Sequence, residues 1–201
     1  MNFMYAALTI KQTMIIVLVV VAVVTLIALL TVSLFISLRN KLVTLRNECD
    51  EAWASIDVFL KKRYDLIPNL VETVKGYTKH ESETLERVVA ARNAAVTSAG
   101  ATDKIRADKE LGGVLRQLFA LTESYPDLKA NAQFSDLQSQ LRQIENDLSQ
   151  ARKYYNGKCK ALNIQIDKFP SNLVASAMKM NKLAYFELDS EDERQNVKVS
   201  F

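Results

Sequence analysis

The sequence predicts an all-α fold: one N-terminal transmembrane helix that continues into an up-and-down antiparallel four-helix bundle of long helices. Three observations carry this. Hydrophobic residues make up 49% of the chain, yet many of them sit in one uninterrupted apolar run near the start. Apolar residues elsewhere recur at alternating steps of three and four, the spacing of a helix face. With 5 Gly and 3 Pro in 201 residues, and no sustained alternation of β-branched residues, little in the chain favours strands or tight turns.

No charged residue lies between Lys11 and Arg39, and Met14 to Leu38 is almost wholly Ile, Val, Leu, Ala and Phe, relieved only by Thr and Ser. A hydrocarbon core of about 30 Å needs roughly 20 helical residues, so this run is long enough to cross with some tilt. A cleaved signal peptide would have an apolar region about half as long, ending in a small-residue cleavage site. Cys49, in LRNEC, has no small residues before it, which argues against a lipidation site. The expected organisation is a short tail at 1–12, a transmembrane helix at 13–38, a helical bundle at 39–187 and an acidic, flexible tail at 188–201. Arg39, Lys41 and Arg46 follow the run and only Lys11 precedes it, so the positive-inside rule places the bundle in the cytoplasm.

The first helix is expected to run on from the membrane, because Leu38, Leu42, Leu45, Cys49, Ala52, Ile56 and Phe59 form a heptad seam, widened by Trp53 and Leu60. A turn is expected in RYDLIPNL, with Asp65 capping a new helix and Pro68 in its first turn. Ile67, Leu70, Val71 and Val74 form the next apolar face. TKHE has the T-x-x-E form of a capping box, so a break near Thr78 is expected before Leu85, Val88, Val89 and Val96. SAGATD, residues 98–103, marks a connection with Asp103 as a cap. The next helix runs from Ile105 through Leu111, Leu115, Leu118, Phe119 and Thr122, with Gly112 and Gly113 predicting a kink or a close helix contact. After SYPDLKAN comes the clearest period: Phe134, Leu137, Leu141, Ile144, Leu148, Ala151, Tyr155, Leu162 and Phe169, closed by Pro170. NLVASAMKMNKLAYFEL is expected to cover one end of the bundle.

Charge excludes some functions. The chain carries 26 basic and 23 acidic residues, a near balance that does not favour nucleic-acid binding. His80 is the single histidine, so one chain assembles neither a Cys/His zinc cluster nor a multi-histidine metal site. No nucleophile elbow or phosphate-binding glycine loop occurs. His80 followed by Glu81 invites comparison with a phosphoacceptor helix, but Glu81 is accounted for by the capping box. Asp189 and Glu191 to Glu193 read as a solvated charge run. Cys49 reads as a small buried hydrophobe, and the two cysteines fit a reduced pair as well as a disulfide. Trp53 fits an interface anchor and a core residue equally. No catalytic, cofactor or metal residue is therefore assigned.

Two polar strings remain. KKRYDLIPNLVETVKGY contains Arg63, Tyr64, Asp65 and Asn69; SYPDLKANAQF contains Tyr125, Asp127, Lys129 and Asn131. If both turns lie at the same end of an antiparallel bundle, these eight residues can form one polar patch, structural or partner-binding.

RNECDEAWASIDVFLKKRYDLIPNLVETVKGYTKHE, LFALTESYPDLKAN, ENDLSQARKYYNGKCKALN and FPSNLVA, in this order and spacing, resemble the LemA family of bacterial proteins. The resemblance covers about residues 42–186. It implies a membrane helix, or a lipid anchor in some members, followed by a long antiparallel helical bundle with no established enzymatic activity. Gly112, Gly113 and the Asn156–Gly157 pair depart from the usual pattern and put helix continuity there in doubt. The expected function is a bacterial inner-membrane scaffold or adaptor, without catalysis and without cofactor. Its expected partners are the lipid bilayer, further copies of itself and other envelope proteins. A signalling subunit acting through the first helix is the alternative. An enzyme with a site near Asp65, Asn69, Tyr125 and Asp127 is remote.

Overall fold

A computed structural model describes residues 2–78 and 81–186. Among them are six helices: α1 (Asn2–Lys75), α2 (Ser82–Thr97), α3 (Ala101–Thr122), α4 (Pro126–Lys129), α5 (Ala132–Asp167) and α6 (Ser171–Ala177), with no strand among the described residues. The fold is all-α, as the periodicity predicts. His80 and the expected acidic tail at 188–201 lie outside the described residues.

The chain forms two compact units. One combines the residues up to Arg46 with Ile164–Asn181. In it the apolar run of α1 is exposed from Met14 to Ile36, and its 18-residue core has a mean hydropathy of 3.3 with none of it buried. A helix this long and apolar, with no protein covering it, has the length and composition of a membrane anchor. α5 ends at Asp167, so Phe169 falls outside the helix and is 74% exposed; it does not extend the seam as expected. α6 closes with Lys179 at φ 53°, where the Met180 N–H reaches the Ala175 carbonyl at 3.0 Å, a helix stop that usually uses Gly.

The second unit, Asn47–Asn163 with residues 182–186, is the bundle. Its pairings give the helix directions. Arg92 of α2 meets Tyr64, Asp57 and Arg63 of α1 meet Lys104 and Asp108 of α3, and Glu48, Trp53 and Arg63 meet Lys158, Tyr155 and Glu145 of α5. The register rises together for α1 and α3 and runs opposite for α5, which is the predicted up-and-down order. The core follows the seam: Cys49, Ala52, Ile56, Leu60, Ile67, Leu70 and Val74 on α1, Leu111, Leu115 and Leu118 on α3, and Leu137, Leu141, Leu148 and Leu162 on α5 are all buried. On α2 the buried face is Leu85, Val88, Ala91 and Ala95; Val89 and Val96, expected inside, are 40% and 49% exposed.

The turn expected in RYDLIPNL does not form. α1 passes straight through Pro68 to Lys75, and Asp65, instead of capping, is exposed and pairs with Lys61 at 2.9 Å. Proline removes the N–H that would serve the carbonyl four residues back. That carbonyl, of Tyr64, accepts from the Arg92 Nε at 3.3 Å, so a side chain of α2 replaces the missing donor. The break comes near the next signal: α1 ends at Lys75 and α2 starts at Ser82. There the capping box is not made: the Thr78 hydroxyl donates back to the Val74 carbonyl at 3.2 Å, and no side chain caps α2. Asp103 likewise does not cap α3; it lies in the first turn, behind Gly100 at φ 88°. Gly112, Gly113 and Gly157 lie within continuous helices.

Candidate functional site

The α2–α3 hairpin turns back near Asp57, leaving the preceding part of α1 without helical cover from it. Residues 182–186 supply that cover as an extended strap lying along α5. Two asparagines of α5 hold it by its backbone. Asn163 accepts from the Leu183 N–H and donates to the Leu183 carbonyl, both at 2.9 Å; Asn156 does the same with Phe186, both at 2.8 Å. The Tyr155 hydroxyl donates to the Ala184 carbonyl at 3.2 Å. Asn156 and Asn163 are one heptad apart, a rise of about 10 Å, and three residues of extended chain cover about the same distance. This match allows both amides to grip the same segment.

The side chain of Phe186 is 4% exposed. It stacks on Trp53 with centroids 6.2 Å apart and planes at 28°, while Tyr155 meets Trp53 edge-on at 5.4 Å. The Arg152 guanidinium lies 4.7 Å from the Phe186 ring, a cation–π contact. Trp53, half-buried, is thus the docking residue for the strap.

Arg152 links the strap groove to a buried ion network. Its Nη2 donates to Asp108 Oδ2 at 2.6 Å and its Nη1 to Glu145 Oε1 at 3.3 Å. Arg63 Nη1 meets Asp108 Oδ1 at 3.0 Å and Glu145 Oε2 at 3.1 Å. Two guanidiniums and two carboxylates alternate, so the network is neutral overall. Asp108 is 1% exposed, and burial pushes its carboxyl above the ordinary aspartate range against the pull of Arg63 and Arg152. Burial, and then the Asp108 charge, likewise raise the Tyr64 phenol. Gly112 lies beside this arrangement, and a Cβ there would make an ordinary van der Waals contact, 3.5 Å from Arg63 Nη2. A cleft of about 280 Å³ opens beside the network, lined by Arg63, Asp108, Gly112, Arg116, Arg142 and Glu145 among others.

The eight residues marked in the sequence fall into three places. Arg63 and Tyr64 are buried in the middle of the bundle, whereas Asp65 and Asn69 on the same helix are exposed. Tyr125 and Asn131 lie at the end, where the two turns meet. Tyr125 donates to Glu81 Oε1 at 2.9 Å, which raises the phenol above its usual value. Asn131 Nδ2 donates to the Tyr77 hydroxyl at 2.8 Å while its Oδ1 caps α5 by accepting from the Phe134 N–H at 2.8 Å. Asp127 and Lys129 are exposed on α4, Lys129 pairing with Glu123. The two strings meet through Tyr77 and Asn131 rather than through Asp65 and Asn69, and Glu81, the partner of Tyr125, lies beyond the first string.

Asp108, Glu145, Arg152 and Asn163 are not singled out in the sequence, and Asn156 is marked only as half of the Asn156–Gly157 departure, with no site role. Asp108 carried a signal: it stands seven residues before Leu115 and three before Leu111, a core position for a charged residue. Asn156 and Asn163 carried one too, each following a seam residue, Tyr155 and Leu162.

An apolar N-terminal helix running into an all-α bundle closed by a strap defines the class. The sequence signature of the LemA family matches residues 52–201, and the chain belongs to that family. Protein LemA of Metamycoplasma hominis is 25% identical over 177 residues, covering 86% of this chain and 80% of that protein. Magnetosome protein MamQ 2 of Paramagnetospirillum magneticum is 24% identical over 74% of this chain, and magnetosome protein MamQ of Magnetospirillum gryphiswaldense 22% over 73%. The matched region spans 64% of each magnetosome protein.

Proposed function

We propose that this LemA family chain is a scaffold or adaptor of the bacterial inner membrane, associating with copies of itself and with other envelope proteins, without catalysis and without nucleic acid. The observation that supports it most is that α1 carries both an exposed apolar run and the first core face of the bundle in one unbroken helix. The buried charges support it as well. Asp108, Arg63 and Arg152 are engaged with one another, which suits a structural network better than a reacting group. Arg39, Lys41 and Arg46 after the run favour a cytoplasmic bundle. An in-line apolar helix and heptad seam can pair laterally in lipid and in water. Mass measurement of the detergent-solubilised chain tests this: an oligomer is expected, and a strict monomer at every concentration would remove self-association.

A second reading, a regulatory subunit signalling along α1, is favoured by the continuity of α1 through Pro68. It expects a residue inserted near Arg39, which rotates the helix by about 100°, to change a cellular output. An output indifferent to phase would count against it.

A further inference from the structure

The geometry points to the corner formed by the end of α5 and the start of α6 being a second membrane contact: an interfacial seat that lies on an anionic lipid surface beside the point where α1 leaves the bilayer. It rests on the reading of α1 as a membrane helix.

Ile164–Asn181 shares its compact unit with the start of the chain. Within the part of α1 whose burial is described, residues 12–37 are exposed, and cover begins only at Leu38, with Leu42 1% exposed. The covering segment therefore sits level with 38–46, immediately beyond the apolar run. Four residues of helix from Leu38 to Leu42 rise about 6 Å, and the headgroup layer on each side of the hydrocarbon is of similar thickness, about 5–8 Å. Whatever covers Leu42 is at headgroup height.

The outward face of that segment has the composition such a place requires. Ser171, Val174 and Ala175 are turned inward, at 2%, 4% and 1% exposure. Phe169 and Leu173 are turned outward at 74% and 62%, and Ile164 is 49% exposed. Phe169 and Leu173 are large apolar groups four residues apart, which water disfavours and the acyl–headgroup boundary accepts. Around them, Lys168 and Lys179 join Arg39, Lys41 and Arg46, with Asp167 the single acid in 38–46 and 164–181. Exposed apolar side chains within a basic collar suit a surface of acidic phospholipid. Two contacts, one spanning and one lying on the surface, would restrict how the unit rotates about α1.

The full-length chain carrying Trp53→Phe has no tryptophan, so Phe169→Trp provides a single reporter. It is reconstituted in phosphatidylcholine–phosphatidylglycerol vesicles whose lipids carry bromine either near the glycerol or deep in the chains, with far-ultraviolet dichroism checking the fold. Quenching by shallow bromine and protection from aqueous iodide are expected, with the protection reduced when phosphatidylglycerol is omitted. A companion reporter, Leu26→Trp, should respond to deep bromine. If the companion responds and the Phe169→Trp reporter is open to iodide and blind to bromine, the anchor stands and the seat is overturned. If neither senses bromine, the anchor reading and the seat both fall.

Discussion

The Arg92 Nε lies 3.3 Å from the Tyr64 carbonyl, the one acceptor in α1 that Pro68 deprives of its in-helix donor. The guanidinium repairs the helix at the point where the sequence predicts that it ends. Arg92→Met should therefore destabilise the bundle by about 1–2 kcal/mol, the cost of leaving a part-buried carbonyl unmet. Pro68→Ala restores the N–H, so in its presence Arg92→Met should cost much less. A double-mutant cycle on melting temperature measures this coupling, and strict additivity would contradict the assignment.

The helical glycines separate by what surrounds them. A Cβ at Gly113 or Gly157 meets nothing within 4 Å, so Gly113→Ala and Gly157→Ala should each stabilise by about 1 kcal/mol. Gly112→Ala places its methyl in ordinary contact, 3.5 Å from Arg63 Nη2, and should gain at least as much. Denaturant titrations of the three variants measure these gains directly; a loss of stability at Gly112→Ala would show that the methyl disturbs Arg63.

The strap should come away in stages. Asn163→Ala removes two hydrogen bonds, worth together about 2 kcal/mol, and Phe186→Ala empties a buried slot at a cost of about 3 kcal/mol. Both should move the emission of Trp53, the single tryptophan, to the red, Phe186→Ala the more strongly because its ring stacks on the indole. Unchanged emission in Phe186→Ala would mean that the slot is not occupied in solution.

Asp108→Asn leaves Arg63 and Arg152 to share Glu145 alone, but burial already outweighs their pull on the Asp108 charge, so the cost should be only about 1–2 kcal/mol, that of weakened hydrogen bonds. Its pH dependence has a definite sign. The folded-state pKa of Asp108 is raised, so between the ordinary aspartate value and that raised value the native chain holds more proton than the unfolded one. This carboxyl therefore adds stability as pH falls through that window and loses it as pH rises. The gap in melting temperature between wild type and Asp108→Asn should widen on acidification across it; a narrowing gap would reverse the assigned direction.

Periodicity made most of the fold legible. The seam of α5 from Phe134 to Leu162 and the face Ile67, Leu70, Val71 and Val74 are where the spacing puts them, because one buried stripe per helix is what burial demands. Local turn chemistry was the weaker guide. Asp65 and Pro68 have the form of a helix start, but Leu60, Ile67 and Leu70 keep the stripe continuous across them, and tertiary burial together with Arg92 outweighed the local preference. Glu81 has the form of a capping residue and bonds Tyr125 instead, a partner 44 residues away that no local pattern announces. The site was legible only in part for the same reason. Arg63 was marked, but Asp108, Glu145 and Arg152 join it through three helices brought together by folding, and Asn156 and Asn163 gain meaning only when an extended segment lies beside them.

The equality between one heptad of α5 and three residues of strap has a consequence for how this stretch can vary. A residue inserted between 156 and 163 would swing Asn163 by about 100° away from Leu183 and turn Leu162 out of the core in the same movement. The spacing is thus fixed by two unrelated requirements at once, interior packing and capture of main chain. Viable variants should exchange side chains there while leaving the length alone.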